Sequence, residues 1–367
     1  MKVVYDYQIF SAQRYGGISR YFFELARSLS ELYIEGLSVN VNSPLYVNNY
    51  LPDAPRSIGL LGVHLPVFRG AERFSRGANA MLSPTLMRAL RPDIVHETYY
   101  SSRPSALCSS RTVITVYDMI HELFPQSFSE KDRTSSIKRQ AVKRADHVVC
   151  ISEHTRQDLV RLFDVPVEKT SVVHLGFSLT TSYINDEQAP ARPYLLYVGM
   201  RGGYKNFETL LQAYASQPWL KENFDLVAFG GGEFTAYERS VIERLNVVAQ
   251  VRQQGGSDQV LAARYKQAAL FVYPSLYEGF GIPPLEAMSY GCPVVCSNTS
   301  SIPEVVGAAA KMFDPGSVES LAAALLEVLQ GSETCEELRR LGLARVKEFS
   351  WHRCALETHA IYQRVLS

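Results

Sequence analysis

Short, nearly continuous apolar and β-branched runs recur along the chain, each followed by a longer stretch with apolar residues at helical spacing. In the first half the runs are KVVYDY, LSVNV, DIVHE, RTVITVYD, DHVVCIS and TSVVHL. In the second half they are YLLYVG, FDLVAFG, NVVAQVR, ALFVYPS, CPVVCSN and AAKMFD. A strand that is apolar at consecutive positions is buried on both faces, as a parallel strand covered by crossover helices is. Between the runs lie SRYFFELARSLSEL, SEHTRQDLVRLF, FETLLQAYASQ and SDQVLAARYKQA, with Ser19 and Ser152 as N-cap candidates. Such alternation predicts parallel α/β folding. At 367 residues the chain is long for one domain and suits two. The polar segment SLTTSYINDEQAPARP, Ser178 to Pro193, breaks both periodicities and reads as a linker. The expected domains are residues 1–180 and 181–349, followed by a helical stretch over 350–367.

Composition narrows the class. Apolar residues make up 46% and charged residues 20%, a globular balance. No run of 18 apolar residues is present, so no membrane-spanning helix is expected. The N-terminus MKVVYDYQIF carries Asp6 within its apolar stretch and reads as a first strand, not a leader. Six scattered cysteines argue for reduced thiols in a cytoplasmic protein, against a zinc site or disulfide framework. The formal net charge is zero, with the first half slightly basic, which fits an anionic partner there. No repeat of 20–50 residues is visible. No G-x-G-x-x-G follows the first strand, where YDYQIFSAQRYGG stands, which argues against a nicotinamide dehydrogenase.

Chemistry should follow strand ends. YEGFGIPPLEAMSYG, Tyr277 to Gly291, reads as a glycine loop between the strand ALFVYPS and a short helix opened by Pro283 and Pro284. Prolines lack N–H groups, so the backbone donors available to an anion are chiefly those of Gly279, Phe280, Gly281 and Ile282. Glu286 is expected in the first helical turn, where the helix dipole favours its ionised form. A carboxylate there accepts two hydrogen bonds, matching adjacent ribose hydroxyls. In YVGMRGGYKNFETLLQAY, Arg201 and Lys205 offer fixed cations to a leaving diphosphate, a role worth about 3 kcal/mol for each strong donor. No D-x-D occurs, so no metal clamp is expected and the two cations are its substitute.

The stretch from Glu278 to Glu286, with G-F-G between, resembles the signature of family-4 retaining glycosyltransferases of the GT-B fold. YGGISRYFFELARSL resembles that family's first glycine loop and helix, YVGMRGGYKNFETLLQAY its diphosphate-gripping loop, and GGSDQVLAARYKQAALFVYPS its base-pocket unit. The FSW segment resembles the start of its final helix. The resemblance implies two Rossmann-like parallel-sheet domains facing each other across a cleft, with the last helix crossing back to the first domain. It implies that Glu286 binds ribose, that Glu278 lies near the donor sugar, and that the intervening amides contact sugar and phosphate. Gly16 and Gly17 would approach the donor phosphates, and Arg201 and Lys205 the diphosphate. The implied activity is transfer of a hexose, of mannose or glucose/galactose type, from a GDP- or UDP-sugar to a saccharide or lipid-linked acceptor. The product bond is α, and bacterial polysaccharide or lipopolysaccharide assembly is the setting. No other cofactor or nucleic acid is expected. A nucleotide-sugar epimerase, a phosphorylase and an inactive sugar-nucleotide binder are the rivals.

One position departs from the family. Where it usually has a histidine beside the donor sugar, TVITVYDMIHELFPQSF has Tyr117, followed by Asp118 and His121. A phenol is a poor base near neutrality, so Asp118 and His121 become the candidates for positioning the acceptor hydroxyl. His96 and Glu97, at another strand end, are candidates for lining the site. Two basic stretches, FRGAERFSRG with Arg69, Arg73 and Arg76, and SEKDRTSSIKRQAVKRAD with Lys138, Arg139, Lys143 and Arg144, read as solvated surface. The alternative is a face toward a lipid diphosphate or the inner membrane surface.

Overall fold

The structure, a computed structural model, describes residues 1–178 and 192–367. The linker expected over Ser178 to Pro193 falls, from 179 to 191, outside the described residues. Two compact units form, Met1–Gly176 with Phe349–Ser367, and Phe177–Glu348.

The first unit holds β1 (Lys2–Tyr5), β2 (Ser38–Tyr46), β3 (Ile58–His64), β4 (Ile94–Glu97), β5 (Arg111–Val116), β6 (His147–Cys150) and β7 (Thr170–Val172). All pair in parallel, in the order β3-β2-β1-β4-β5-β6-β7. The second unit holds β8 (Tyr194–Val198), β9 (Asp225–Phe229), β10 (Val251–Gln254), β11 (Leu270–Tyr273), β12 (Val294–Ser297) and β13 (Lys311–Phe313). They are parallel too, in the order β10-β9-β8-β11-β12-β13. In each sheet the winding reverses beside its first strand, between β1 and β4 and between β8 and β11, which is where open parallel sheets bind ligands.

The β-branched runs became strands because they could be buried on both sides: every residue of β4, β6, β11 and β12 is buried. Two strands differ from expectation. The edge strand β3 has no alternating or continuous apolar signal, and its last three residues, Gly62–His64, are exposed. Its Gly62 is needed for proximity, since a Cβ there would stand 1.9 Å from the Ser43 carbonyl oxygen. In NVVAQVR the strand starts only at Val251. Asn246 takes a φ of +54°, and the Val247 N–H bonds back to the Ile242 carbonyl at 3.2 Å, closing the preceding helix.

Of the expected caps, Ser152 holds, its hydroxyl accepting the Thr155 N–H at 3.1 Å. Ser19 is not a cap. That helix runs Gly17–Glu31 with Gly16 at the cap position, and Ser19 donates its hydroxyl to the Gly16 carbonyl at 3.1 Å.

The final helix, Trp351–Leu366, belongs to the first unit. It is tied to the sheet by a buried polar chain. Tyr362 Oη lies 2.7 Å from His96 Nδ1 and 3.1 Å from Tyr5 Oη, and His96 Nε2 lies 2.8 Å from Thr115 Oγ1. Burial lowers the His96 pKa to about 3. An unfolded-chain imidazole takes its proton near pH 6.5, so between these values the unfolded state binds the extra proton. The contribution of neutral His96 is therefore full above about pH 6.5 and is lost as pH falls. Replacing His96 with Gln should flatten the acid-side slope of stability against pH by about 1.4 kcal/mol per pH unit between pH 6 and 4. Urea unfolding across that range measures it. An unchanged slope would mean that His96 is already charged in the fold.

Candidate active site

The loops after β8 and β11 meet at the reversal point of the second sheet. The Leu276 N–H donates to the Tyr204 carbonyl at 2.7 Å, and Asn206 donates its amide to the Pro274 carbonyl at 3.0 Å. Across this join Lys205 Nζ stands 2.6 Å from Glu278 Oε1, with the side chains 21% and 11% exposed. Two residues 73 apart in sequence thus form one ion pair at the strand ends. The Glu278 backbone is fixed from β12's following loop: its N–H donates to Ser300 Oγ at 3.0 Å, and Ser301 Oγ donates to the Glu278 and Phe280 carbonyls at 2.9 Å.

Gly281 opens the helix Ile282–Ser289 with a φ of +112°. A Cβ there would have room, so the left-handed backbone, not space, calls for glycine. Glu286 is not in the first turn. The helix starts one residue before Pro283, which makes Glu286 its fifth residue, beyond the reach of the terminal dipole. It is oriented instead by Tyr265, whose hydroxyl donates to Glu286 Oε2 at 3.0 Å. Burial first, and then Glu286, raises the Tyr265 pKa well above its ordinary value, so the phenol stays a donor.

Arg201 is 7% exposed, and its guanidinium is engaged by the protein. It donates to Glu238 Oε1 at 2.8 Å and to the carbonyls of Gly230, Gly232 and Glu233 at 2.8, 2.9 and 3.0 Å. It therefore clamps the loop after β9 to the capping box of the helix Ala236–Arg244, in which Thr235 and Glu238 bond each other's backbone. A diphosphate reaching Arg201 would have to exchange with these partners.

In the first unit, Gly16 and Gly17 stand at the start of the Gly17–Glu31 helix. A Cβ on Gly16 would come within 2.3 Å of Gln13 Oε1, while Gly17 faces open space. Gln13 Oε1 accepts the Ser19 N–H at 3.2 Å. Tyr117, just past β5, is buried, and its hydroxyl has no hydrogen-bond partner among the described residues. Burial raises its pKa well above the ordinary value. Asp118 Oδ1 accepts the Ile120 N–H at 3.0 Å, a local turn that leads into the short helix Ile120–Leu123. His121 stacks on Phe128 at 3.9 Å between centroids and lies 3.8 Å from Asp132. It lines a cavity of about 740 Å³ with Glu122, Gln126, Glu130 and Arg139.

The other strand-end candidates are structural. His96 has both ring nitrogens bonded, as above. Glu97 is bound by Arg144 at 2.5 Å and by the Ser105 N–H at 2.9 Å; burial, and then Asp6, pushes its pKa up to about 7. The second basic stretch is a solvated face only in part. Lys138 is 1% exposed and pairs with Glu122 at 2.8 Å, Arg144 pairs with Glu97, and Arg139 lies 4.2 Å from the Phe163 ring centroid. Arg139, despite that ring contact, and Lys143 are exposed. Among the described residues no group of three or more His, Cys, Asp or Glu is placed to hold a metal ion.

Residues 15–181 match the family model Glycosyltransferase Family 4, and residues 183–343 match that of Glycosyl transferases group 1. O-antigen chain mannosyltransferase B of Escherichia coli is 34% identical over 273 residues, which is 69% of this chain and 70% of that protein. The chain belongs to the group 1 glycosyltransferases. Serotype-specific mannosyltransferase WbdA of Escherichia coli is 27% identical over 77% of this chain, which spans only 38% of WbdA. Sucrose-phosphate synthase from Thermosynechococcus elongatus has the same fold, with a TM-score of 0.73 at 20% identity over 99% of this chain and 98% of that one. The two parallel sheets are those of the GT-B class.

In this glycosyltransferase several supporting residues escaped sequence reading. Gly230, Gly231 and Gly232 all have positive φ, between 68° and 83°. They follow a strand and precede a capped helix, which is the same signal that drew attention to the Gly279–Gly281 loop. Tyr265, Ser300 and Ser301 carried no signal, being ordinary residue types whose role depends on distant neighbours.

Removing Arg201 orphans Glu238 and three carbonyls, so Arg201→Ala should cost about 3–5 kcal/mol of stability. Lys205→Ala breaks a partly exposed pair and should cost about 1 kcal/mol or less, while depressing sugar transfer on the order of 10²-fold. Denaturant unfolding beside transfer kinetics separates the two. Equal stability losses would contradict the clamp assigned to Arg201.

Proposed function

We propose that this glycosyltransferase is a retaining mannosyltransferase using GDP-mannose. It moves mannose to a saccharide or lipid-linked saccharide acceptor of bacterial surface polysaccharide assembly, at the cytoplasmic side of the membrane. The observation that carries the reading is the 34% identity to a protein named as an O-antigen chain mannosyltransferase. In the second unit the chemistry is consistent with it. Glu286, oriented by Tyr265, accepts the two ribose hydroxyls. The amides at Gly279, Phe280, Gly281 and Ile282 meet sugar and phosphate, and Glu278 lies on the sugar side. Lys205 meets the negative charge that grows on the diphosphate as its bond to the sugar's C1 breaks.

The acceptor oxygen bonds to C1 on the face that the diphosphate leaves, which preserves the α configuration. The acceptor's proton passes to the departing phosphate oxygen. No histidine base is required at position 117 by this route, and Asp118 and His121 orient the acceptor.

GDP-mannose, against UDP-glucose and UDP-galactose, should give the largest thermal protection, about 2.7 kcal/mol at a hundredfold excess over Kd. The product should be the α anomer by NMR, and chelators should leave transfer intact. A preference for a UDP-sugar would overturn the donor assignment, and a β product the mechanism. Glu286→Ala should weaken nucleotide binding, read by calorimetry; unchanged affinity removes Glu286 from the site.

Tyr117→Phe removes a hydroxyl that has no partner among the described residues, so turnover and stability should stay close to wild type. His121→Ala should cost roughly 10-fold or less in kcat at saturating donor, against the 10²–10⁴-fold of a lost general base. A collapse of turnover in either variant with donor binding intact would place the proton transfer on that side chain.

A further inference from the structure

The helix Ala71–Leu90 is inside out. Its sheet-facing stripe is Ser75, Asn79 and Ser83, four residues apart and all buried. Ser75 Oγ donates to the Leu45 carbonyl, Asn79 exchanges bonds with the Leu45 N–H and carbonyl at 2.8 and 2.7 Å, and Asn42 donates to Ser83 Oγ at 3.0 Å. A polar stripe thus docks the helix on β2 at its bulge between Asn42 and Leu45. Near the helix's end Met87 is buried in a cluster with Val4 and Val95, but before it the large apolar side chains point outward: Phe74 is 56%, Met81 80% and Leu82 47% exposed, and in the preceding loop Val67 is 80% and Phe68 43% exposed. Phe68 and Phe74 meet edge to face at 6.2 Å. An amphipathic helix with its apolar side in water marks an interaction surface.

Charge identifies the partner. Arg69, Arg73, Arg76, Arg88 and Arg91 are all exposed on this segment. Its one acid over residues 65–91, Glu72, is held by Arg14 at 2.9 Å. Phe74, Met81 and Arg88 are seven apart and share a line along the outer face, with Arg73 and Arg76 beside it. A second copy meeting this patch about a two-fold axis would set arginines against arginines. We propose that this face docks in the plane of an anionic lipid bilayer, with Phe74, Met81 and the Val67–Phe68 tip among the acyl chains and the arginines on lipid phosphates. It does not depend on which sugar the enzyme transfers.

The test is flotation of the full chain with vesicles of phosphatidylcholine alone, or of phosphatidylcholine with phosphatidylglycerol. Binding should require phosphatidylglycerol and weaken with salt. Arg73→Gln/Arg76→Gln/Arg88→Gln should lose about fivefold for each arginine, roughly 100-fold together. Phe74→Ser/Met81→Ser should lose about tenfold or more, and Arg340→Gln, on the second unit, nothing. All three variants should keep wild-type unfolding curves and wild-type transfer to a water-soluble acceptor, which separates this proposal from the fate of the donor assignment. No binding to either vesicle, or equal binding by wild type and both patch variants, would overturn it. So would a dimer in light scattering that Phe74→Ser/Met81→Ser abolishes while vesicles stay unbound.

Discussion

Parallel pairing is the constraint on which the rest depends. In a sheet whose strands all run one way, every C-terminal end lies at the same edge, so every loop that follows a strand emerges there. Where the winding reverses, neighbouring loops leave in opposite directions and a crevice opens between their roots. In the second unit this puts the loops after β8 and β11 side by side and lets Lys205 reach Glu278. In the first unit the equivalent place, between β1 and β4, is filled by Asp6. Its carboxylate accepts bonds from Thr98, Ser105 and Gln8 at 2.6 to 3.3 Å. The two sheets use the same geometry differently: one reversal point carries an accessible ion pair, the other a closed polar knot.

The cations of the second unit divide in the same way. Arg201 has a fixed fork of donors, and three carbonyls of one glycine-rich loop plus Glu238 engage it. Among the described residues Lys205 has a single anionic partner at hydrogen-bond distance, Glu278. A guanidinium so enclosed makes a good joint, holding loop and helix in register. A lysine with partial exposure retains the freedom to meet an incoming anion.

Much of this was legible in the sequence, because burial on both faces demands continuous β-branched runs and few other environments tolerate them. Twelve strand runs were read and all twelve overlap observed strands, NVVAQVR only at its end. β3 was missed because an edge strand with Gly59 and Gly62 satisfies no burial pattern. The second glutamate was recognised and its setting misjudged: a one-residue difference in the helix start carried Glu286 from the first turn into the second. The cationic character of Lys138, Arg144 and Arg201 was plain, but their partners were not, since backbone carbonyls and lone acids tens of residues away leave no local signature. The Ala71–Leu90 helix was illegible for a different reason. Apart from Met87, buried with Val4 and Val95, it meets the sheet through the hydrogen bonds of Ser75, Asn79 and Ser83, so most of its apolar periodicity points away from the core.

The return of the final helix to the first unit has a consequence for biosynthesis. Tyr5 and Tyr362 touch across 357 residues of sequence, and a Cβ on Gly176 would lie 2.4 Å from the Trp351 ring. β1 therefore waits for a segment made after the whole second sheet before its own polar chain closes, whereas the strands of the second unit all lie between residues 194 and 313. Of the two units, the one whose strands are made first is completed second. Until then Tyr5 and His96 stand without the phenol that joins them, so the nascent protein passes through a stage in which its later half is finished and its earlier half is still open.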